Sequence, residues 1–250
     1  MDRDRRKCPS GCRPSDDILA QYISRPSRRA QILEVCAFLF LIVPALSMSF
    51  FAVRGPSMGM ALAGAMTILR DLALVALIAF FLWRNRERPA AVGWTGRRLW
   101  LEVLLGLFLF PFVFAGAAAV ESLLRAAGLS GLTAVPGFLR VAGAAEIVLA
   151  AIMVVVVAFA EEIVFRGYLL LRFRAIPLRP VWAIALSSAI FALGHGYEGT
   201  AGAVTVGLMG AAYATVYQWR RSLAAPIVMH FLQDFSGIVL PPLIAAGTGN

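Results

Sequence analysis

Both histidines of this sequence fall inside hydrophobic stretches, and a pair of glutamates interrupts another. Glu161 and Glu162 lie in the apolar run 150–171. His195 ends the run that begins at Val181, and His230 and Asp234 lie in the run 223–246. An ionisable side chain at membrane depth costs about 3 kcal/mol on insertion scales and more in simulations. Acids and histidines held there together point to joint use. A carboxylate beside an imidazole can take a proton from water or hold a metal ion. A third polar group can steady an oxyanion or complete a metal shell. The sequence has no H-E-x-x-H, so the usual zincin arrangement is excluded, and no serine pairs with a histidine as a dyad.

Helical spacing brings these residues to one depth. At about 1.5 Å per residue, Glu161 lies roughly 16 Å from the end of its helix near Arg172. His195 lies roughly 22 Å beyond Pro180, and His230 and Asp234 roughly 10 and 16 Å past Leu223. Glu162 and Arg166 stand i,i+4 with the acid first, the favourable order for a helical pair. His230 and Asp234 share a helix face by the same spacing. Glu161 is turned about 100° from Glu162, so one acid can hold Arg166 while the other faces the histidines. Phe191 is expected to pack on the wall of such a site. Glu198 is expected in an outer loop, and Tyr168, Tyr213 and Gln218 to serve mainly in packing.

The elements that position these residues are membrane helices. The chain has 250 residues and is 60% hydrophobic, too apolar for an ordinary soluble domain, with a mean hydropathy of +0.79. Its long continuous apolar runs read as an all-α polytopic bundle rather than a barrel, which would alternate. About seven spans are expected (six to eight), at 31–53, 60–83, 99–120, 145–171, 181–195, 201–219 and 223–246. Residues 1–29 read as a basic, mostly disordered tail with a short interfacial helix near Asp17. Residues 30–250 read as one membrane domain whose core is about 145–240. Arg70 and Asp71 fall within the second span, as a packing ion pair or as partners of other buried groups. Gly202, Gly207 and Gly210 would let the sixth span approach its neighbours closely.

The net charge of +9 is not spread as in a nucleic-acid binder. The basic residues gather before the first span, in 84–98, in 166–179 and at Arg220 and Arg221, at alternate helix ends. That is the positive-inside pattern, with the N-terminus and the basic loops in the cytoplasm. Nearly all of them are arginine, Lys7 being the sole lysine, which suggests a GC-rich bacterial genome and the cytoplasmic membrane. Cys8 and Cys12 are too few for a structural zinc site and read as free thiols; Cys36, in the first span, reads as lipid-facing or packed.

Three short patterns in order, Glu161-Glu162-x-x-x-Arg166, Phe191-x-x-x-His195 and His230-x-x-x-Asp234, resemble the CAAX prenyl endopeptidases and bacteriocin-processing (Abi) proteins of the CPBP intramembrane group. The resemblance covers about 145–240. It implies an intramembrane endopeptidase acting on a membrane-associated peptide or protein, with a cavity open to the cytoplasm. Glu161 and His195 would activate water. His230 and Asp234 would hold the water or stabilise the oxyanion, and Glu162 and Arg166 would shape the site. The third pattern ends in an acid, which donates no hydrogen bond unless protonated, so a metal-shell role suits Asp234 better than an oxyanion role. One divalent metal such as zinc, or none, is compatible with this set. Two other functions are weighed against it: a non-catalytic scaffold or immunity-type protein, and a proton-coupled transporter.

Overall fold

The computed structural model describes residues 27–51, 58–96, 98–132, 135–176 and 178–247. The tail expectations, with Cys8 and Cys12, and residues 52–57 between the first two spans lie outside them. Among the described residues the chain is helical throughout, without strands. The helices are α1 Arg28–Ser47, α2 Met60–Arg84, α3 Leu99–Ala126, α4 Ala144–Phe173, α5 Pro180–Leu193, α6 Gly199–Arg220 and α7 Ala224–Gly247. Six spans are long and apolar enough to cross a membrane. The exception is α5, where Pro180 starts the helix and Gly194 ends it. Its 14 residues rise about 21 Å, short of the roughly 30 Å hydrocarbon core. The third helix runs past Val120, through Glu121 and Arg125, which pair i,i+4 at 2.7 Å. The first ends earlier than the hydropathy suggests, in a 3₁₀ turn at Met48–Phe51.

Hydrogen bonds fix which helix ends share a face. On the basic face, Glu34 at the start of α1 accepts from Asn85 Nδ2 after α2 (2.8 Å), Tyr168 Oη (2.9 Å) and Arg172 Nε (2.8 Å) on α4, and it also pairs with Arg84. Arg172 forks onto Glu87 at 2.9 and 2.6 Å. Arg220 at the end of α6 donates to Glu102 at the start of α3 (2.6 Å). On the opposite face, Ser130 and Thr200 join the α3–α4 connection to α6, and Ser49 bonds Leu193 O and Gly196 N.

Between these faces α3 packs along α7, α2 along α4 and α5 along α6. At Gly106 of α3 a Cβ would meet Ala225 O and Val228 at 2.8 Å, so the missing side chain sets how close α3 and α7 lie. Much of α3 turns large apolar side chains outward, among them Leu104, Phe108 and Phe112, as a lipid-facing helix does.

Both acid-bearing helices leave the α register beside their acids. In α4 the segment Glu162–Leu169 is π-helical, and in α7 so is Phe235–Val239. Such turns are rare and frequent at functional sites. In α4 the buried Ser187 hydroxyl donates to Phe165 O (2.7 Å), pulling a carbonyl toward α5. In α7 the Pro241-Pro242 pair follows the π segment and supplies no N–H to the ladder.

Candidate active site

Glu162 and Arg166 sit fully buried within the π-helical segment of α4. Glu162 Oε1 accepts from Arg166 Nη1 (2.7 Å) and from His230 Nδ1 on α7 (2.8 Å). Arg166 Nη2 donates to Gly210 O on α6 (3.2 Å), and its guanidinium lies 4.4 Å from the Phe191 ring centroid and 5.4 Å from that of Tyr213. A Cβ at Gly210 would meet the Phe191 ring at 2.9 Å, so this glycine opens the space for that stack. Buried charge is tolerable here because each ion is paired and further hydrogen-bonded.

The bond to Glu162 places the proton of His230 on Nδ1 and turns Nε2 toward two other acids. Nε2 lies 3.7 Å from Glu161 Oε2 and 3.5 Å from Asp234 Oδ2. Those gaps exceed a direct hydrogen bond and suit a shared water. Glu161 Oε2, Glu162 Oε2 and Gln233 Oε1 are buried without partners among the described residues. Glu161 Oε1 faces Arg70 Nη2 of α2 at 3.9 Å, and Arg70 Nε donates to Asp71 Oδ1 (2.8 Å). Arg70 and Asp71 thus pair with each other and also border the site, which unites the two readings of the sequence.

His195 stands apart from Glu161, with no ion pair or hydrogen bond between them. Its Nδ1 donates to Phe191 O (3.1 Å), and its ring lies 4.8 Å from that of Phe191. Phe191 also meets His230 edge-on at 5.8 Å, so one aromatic ring packs against both histidines and Arg166. His195, His230 and Asp234 line a cavity of about 590 Å³ together with Tyr213, Glu198 and Gln233. Glu198 lies in the α5–α6 turn yet borders the cavity, and Tyr213 joins the site wall. Tyr168 serves the basic-face network instead, and Gln218 lies 3.5 Å from Arg174. The cavity extends between Glu121, Leu132 and Pro136 at the face away from the basic loops. The lining gives no support to the expected opening toward those loops.

No three His, Cys, Asp or Glu side chains among the described residues are grouped to hold a metal ion. A zinc site takes at least three protein ligands around one point; around His230 Nε2 the carboxylate oxygens of Asp234 and Glu161 stand at 3.5 and 3.7 Å. A G-x-S-x-G pattern does occur at 55–59, in the α1–α2 connection. Its first three residues, 55–57, lie outside the described residues.

The molecule is thus a polytopic helical membrane protein with paired acids and a held histidine gathered at mid-depth beside a cavity. Residues 143–236 match the family model described as type II CAAX prenyl endopeptidase Rce1-like. The matched segment runs from α4 into the π-helical part of α7 and contains Glu161, Glu162, Arg166, His195, His230 and Asp234; α1, α2 and α3 lie outside it. The match covers less than half of the 250 residues and likens this segment, not the whole chain, to a CAAX-type membrane protease domain. No curated protein and no solved structure matches the chain.

Proposed function

We propose that the chain is an intramembrane endopeptidase that hydrolyses a peptide bond in a membrane-associated peptide or protein. One observation carries the reading. Glu162 grips His230 Nδ1, which aims Nε2 at the unpartnered Glu161 Oε2 and at Asp234. A water among these atoms has an acceptor to take its proton and a rigid frame to fix its lone pair.

In the proposed reaction Glu161 accepts the proton as the water oxygen bonds to the scissile carbonyl carbon. The carbonyl oxygen becomes an oxyanion. The proton then passes to the leaving nitrogen as the C–N bond breaks, giving a carboxylic acid and an amine, between which the acid proton then moves to leave carboxylate and ammonium. Glu162 and Arg166 position His230. His195, across the cavity on the Phe191 ring, is the group available to the developing oxyanion when its Nε2 is also protonated. Asp234 accepts from the water or from a substrate N–H. No step is routed through a metal. A divalent cation such as zinc, were one bound, would be held by His230 Nε2 with Glu161 and Asp234 and would supply Lewis acidity to the water.

The test compares new peptide termini in host membranes carrying wild type or Glu161→Gln at equal expression. Termini present only with wild type support proteolysis and name the substrate. Identical profiles, with Glu161→Gln rescuing the phenotype of a null strain, overturn the peptidase in favour of a scaffold.

A further inference from the structure

We propose that the cavity admits its substrate from the face opposite the basic loops, the extracytoplasmic face under the positive-inside rule. The substrate class is then an apolar polypeptide segment presented at the outer surface of the membrane. The nature of the occupant rests on the peptidase reading; the side of entry does not.

Two independent observations carry it. The first is what lines the cavity. Ala118 and Glu121 come from the last third of α3, Leu132 and Pro136 from the α3–α4 connection, and Tyr197 and Glu198 from the α5–α6 turn. All belong to the face fastened by Ser130 and Thr200, away from Arg84, Arg172 and Arg220. The second is what lies beneath it. Between His230 and the basic face stand Arg166, Tyr213, Tyr217, Phe173 and Leu223, each buried to within 1% of full. Below these, Arg172, Glu34 and Glu87 are tied together. The floor is closed by packing and the roof is not.

The lining also says what fits. Its walls are mostly apolar, with the carboxylates of Glu198 and Asp234. No arginine or lysine lines it among the described residues, and Glu121 at the mouth is held by Arg125. A chain cut next to its own C-terminus would bring a carboxylate toward these acids with no arginine or lysine in the lining to receive it. An internal bond, with any flanking charge basic, matches the cavity better. A volume of about 590 Å³ holds a short extended segment and not a folded domain.

The test is sided labelling of a protein in which Cys8, Cys12 and Cys36 are replaced by serine. Gly237→Cys is the first cavity reporter, because Gly237 lines the cavity and an added Cβ meets nothing within 4 Å. Thr205→Cys, which adds no bulk beyond one sulfur and removes a methyl in the same lining, reports independently if the first variant folds poorly. Arg88→Cys marks the basic face and Val135→Cys the mouth. A membrane-impermeant maleimide is applied to right-side-out and inverted vesicles. The expected result is that Gly237→Cys and Thr205→Cys react at least tenfold faster from the side that labels Val135→Cys. Reaction from the side that labels Arg88→Cys overturns the proposal, and so does protection from both sides. Labelling needs no turnover, so a protein that cleaves nothing still reports its entrance, and failure of the peptidase reading is told apart.

Discussion

Two clusters of buried charge lie on α4, one near each end of its π-helical segment, and they are finished differently. Around Glu34 and Arg172 both carboxylate oxygens of Glu34 are occupied, by Tyr168 and Arg172 on one and by Arg84 and Asn85 on the other. Arg172 spends its remaining donors on Glu87. Around Glu161 and His230, buried oxygens of Glu161, Glu162 and Asp71 are left without partners. An unsatisfied buried polar atom is costly, and a folded chain does not keep several together without a use. The difference teaches that charge number does not separate a structural clamp from a site of chemistry. Saturation of hydrogen-bonding capacity does.

The comparison breaks first at Glu162, which belongs to both kinds. It neutralises a fully buried arginine and also positions His230. Glu162→Gln is therefore expected to lower stability by about 3–5 kcal/mol, the usual cost of orphaning a buried ion, and to cut turnover as well. Chemical denaturation and peptide cleavage on one preparation check both; a fall in only one of them assigns Glu162 to a single cluster.

Arg172→Gln sharpens it. Removing the cation leaves Glu34 and Glu87 without their shared partner, again about 3–5 kcal/mol of stability. Turnover per folded molecule should stay near wild type at a temperature where the variant is folded. A large loss of kcat would carry the basic-face network into the site.

A smaller effect is expected at Ser187. Alanine there frees Phe165 O within the π-helical segment, at about 1–3 kcal/mol for an unsatisfied buried carbonyl. The π register beneath Glu161 should relax, so hydrogen exchange across α4 should rise in 162–169. Unchanged exchange would remove Ser187 as the cause of the π geometry.

The smallest effect expected is none. The donors near His230 are not grouped as ligands, so dialysis against a divalent-metal chelator should leave cleavage unchanged. Loss that zinc restores would show that the side chains close around a metal in the working enzyme.

The sequence already carried the helical class, the three short patterns and their common depth, because burial cost and rise per residue act locally along the chain. The Glu162–Arg166 pair was legible for the same reason, being i,i+4. The bond from His230 to Glu162 spans 68 positions, and no local spacing reports it. It shifts the histidine beside Glu161 from His195, as the motifs implied, to His230. Glu34 was hidden because a single acid near the end of an apolar run reads as interfacial, and its partners stand 50 to 138 residues away. The π-helical segments were illegible too. Ser187 acts on Phe165 from another helix, and an α-register projection of 162–169 ignores the resulting rotation. Glu198 looked like a loop acid and is one. What places it at the cavity is the shortness of α5, which leaves the α5–α6 turn close above the histidines.

The most direct test of the central claim crosses the two clusters in one experiment, measuring unfolding midpoint and cleavage rate for Glu161→Gln and Arg172→Gln in the same membranes. General acid–base groups contribute about 10²- to 10⁴-fold. Glu161→Gln should lose cleavage on that scale at an unchanged midpoint, while Arg172→Gln loses stability and keeps its rate per folded molecule. A Glu161→Gln protein that cleaves at the wild-type rate would contradict the account.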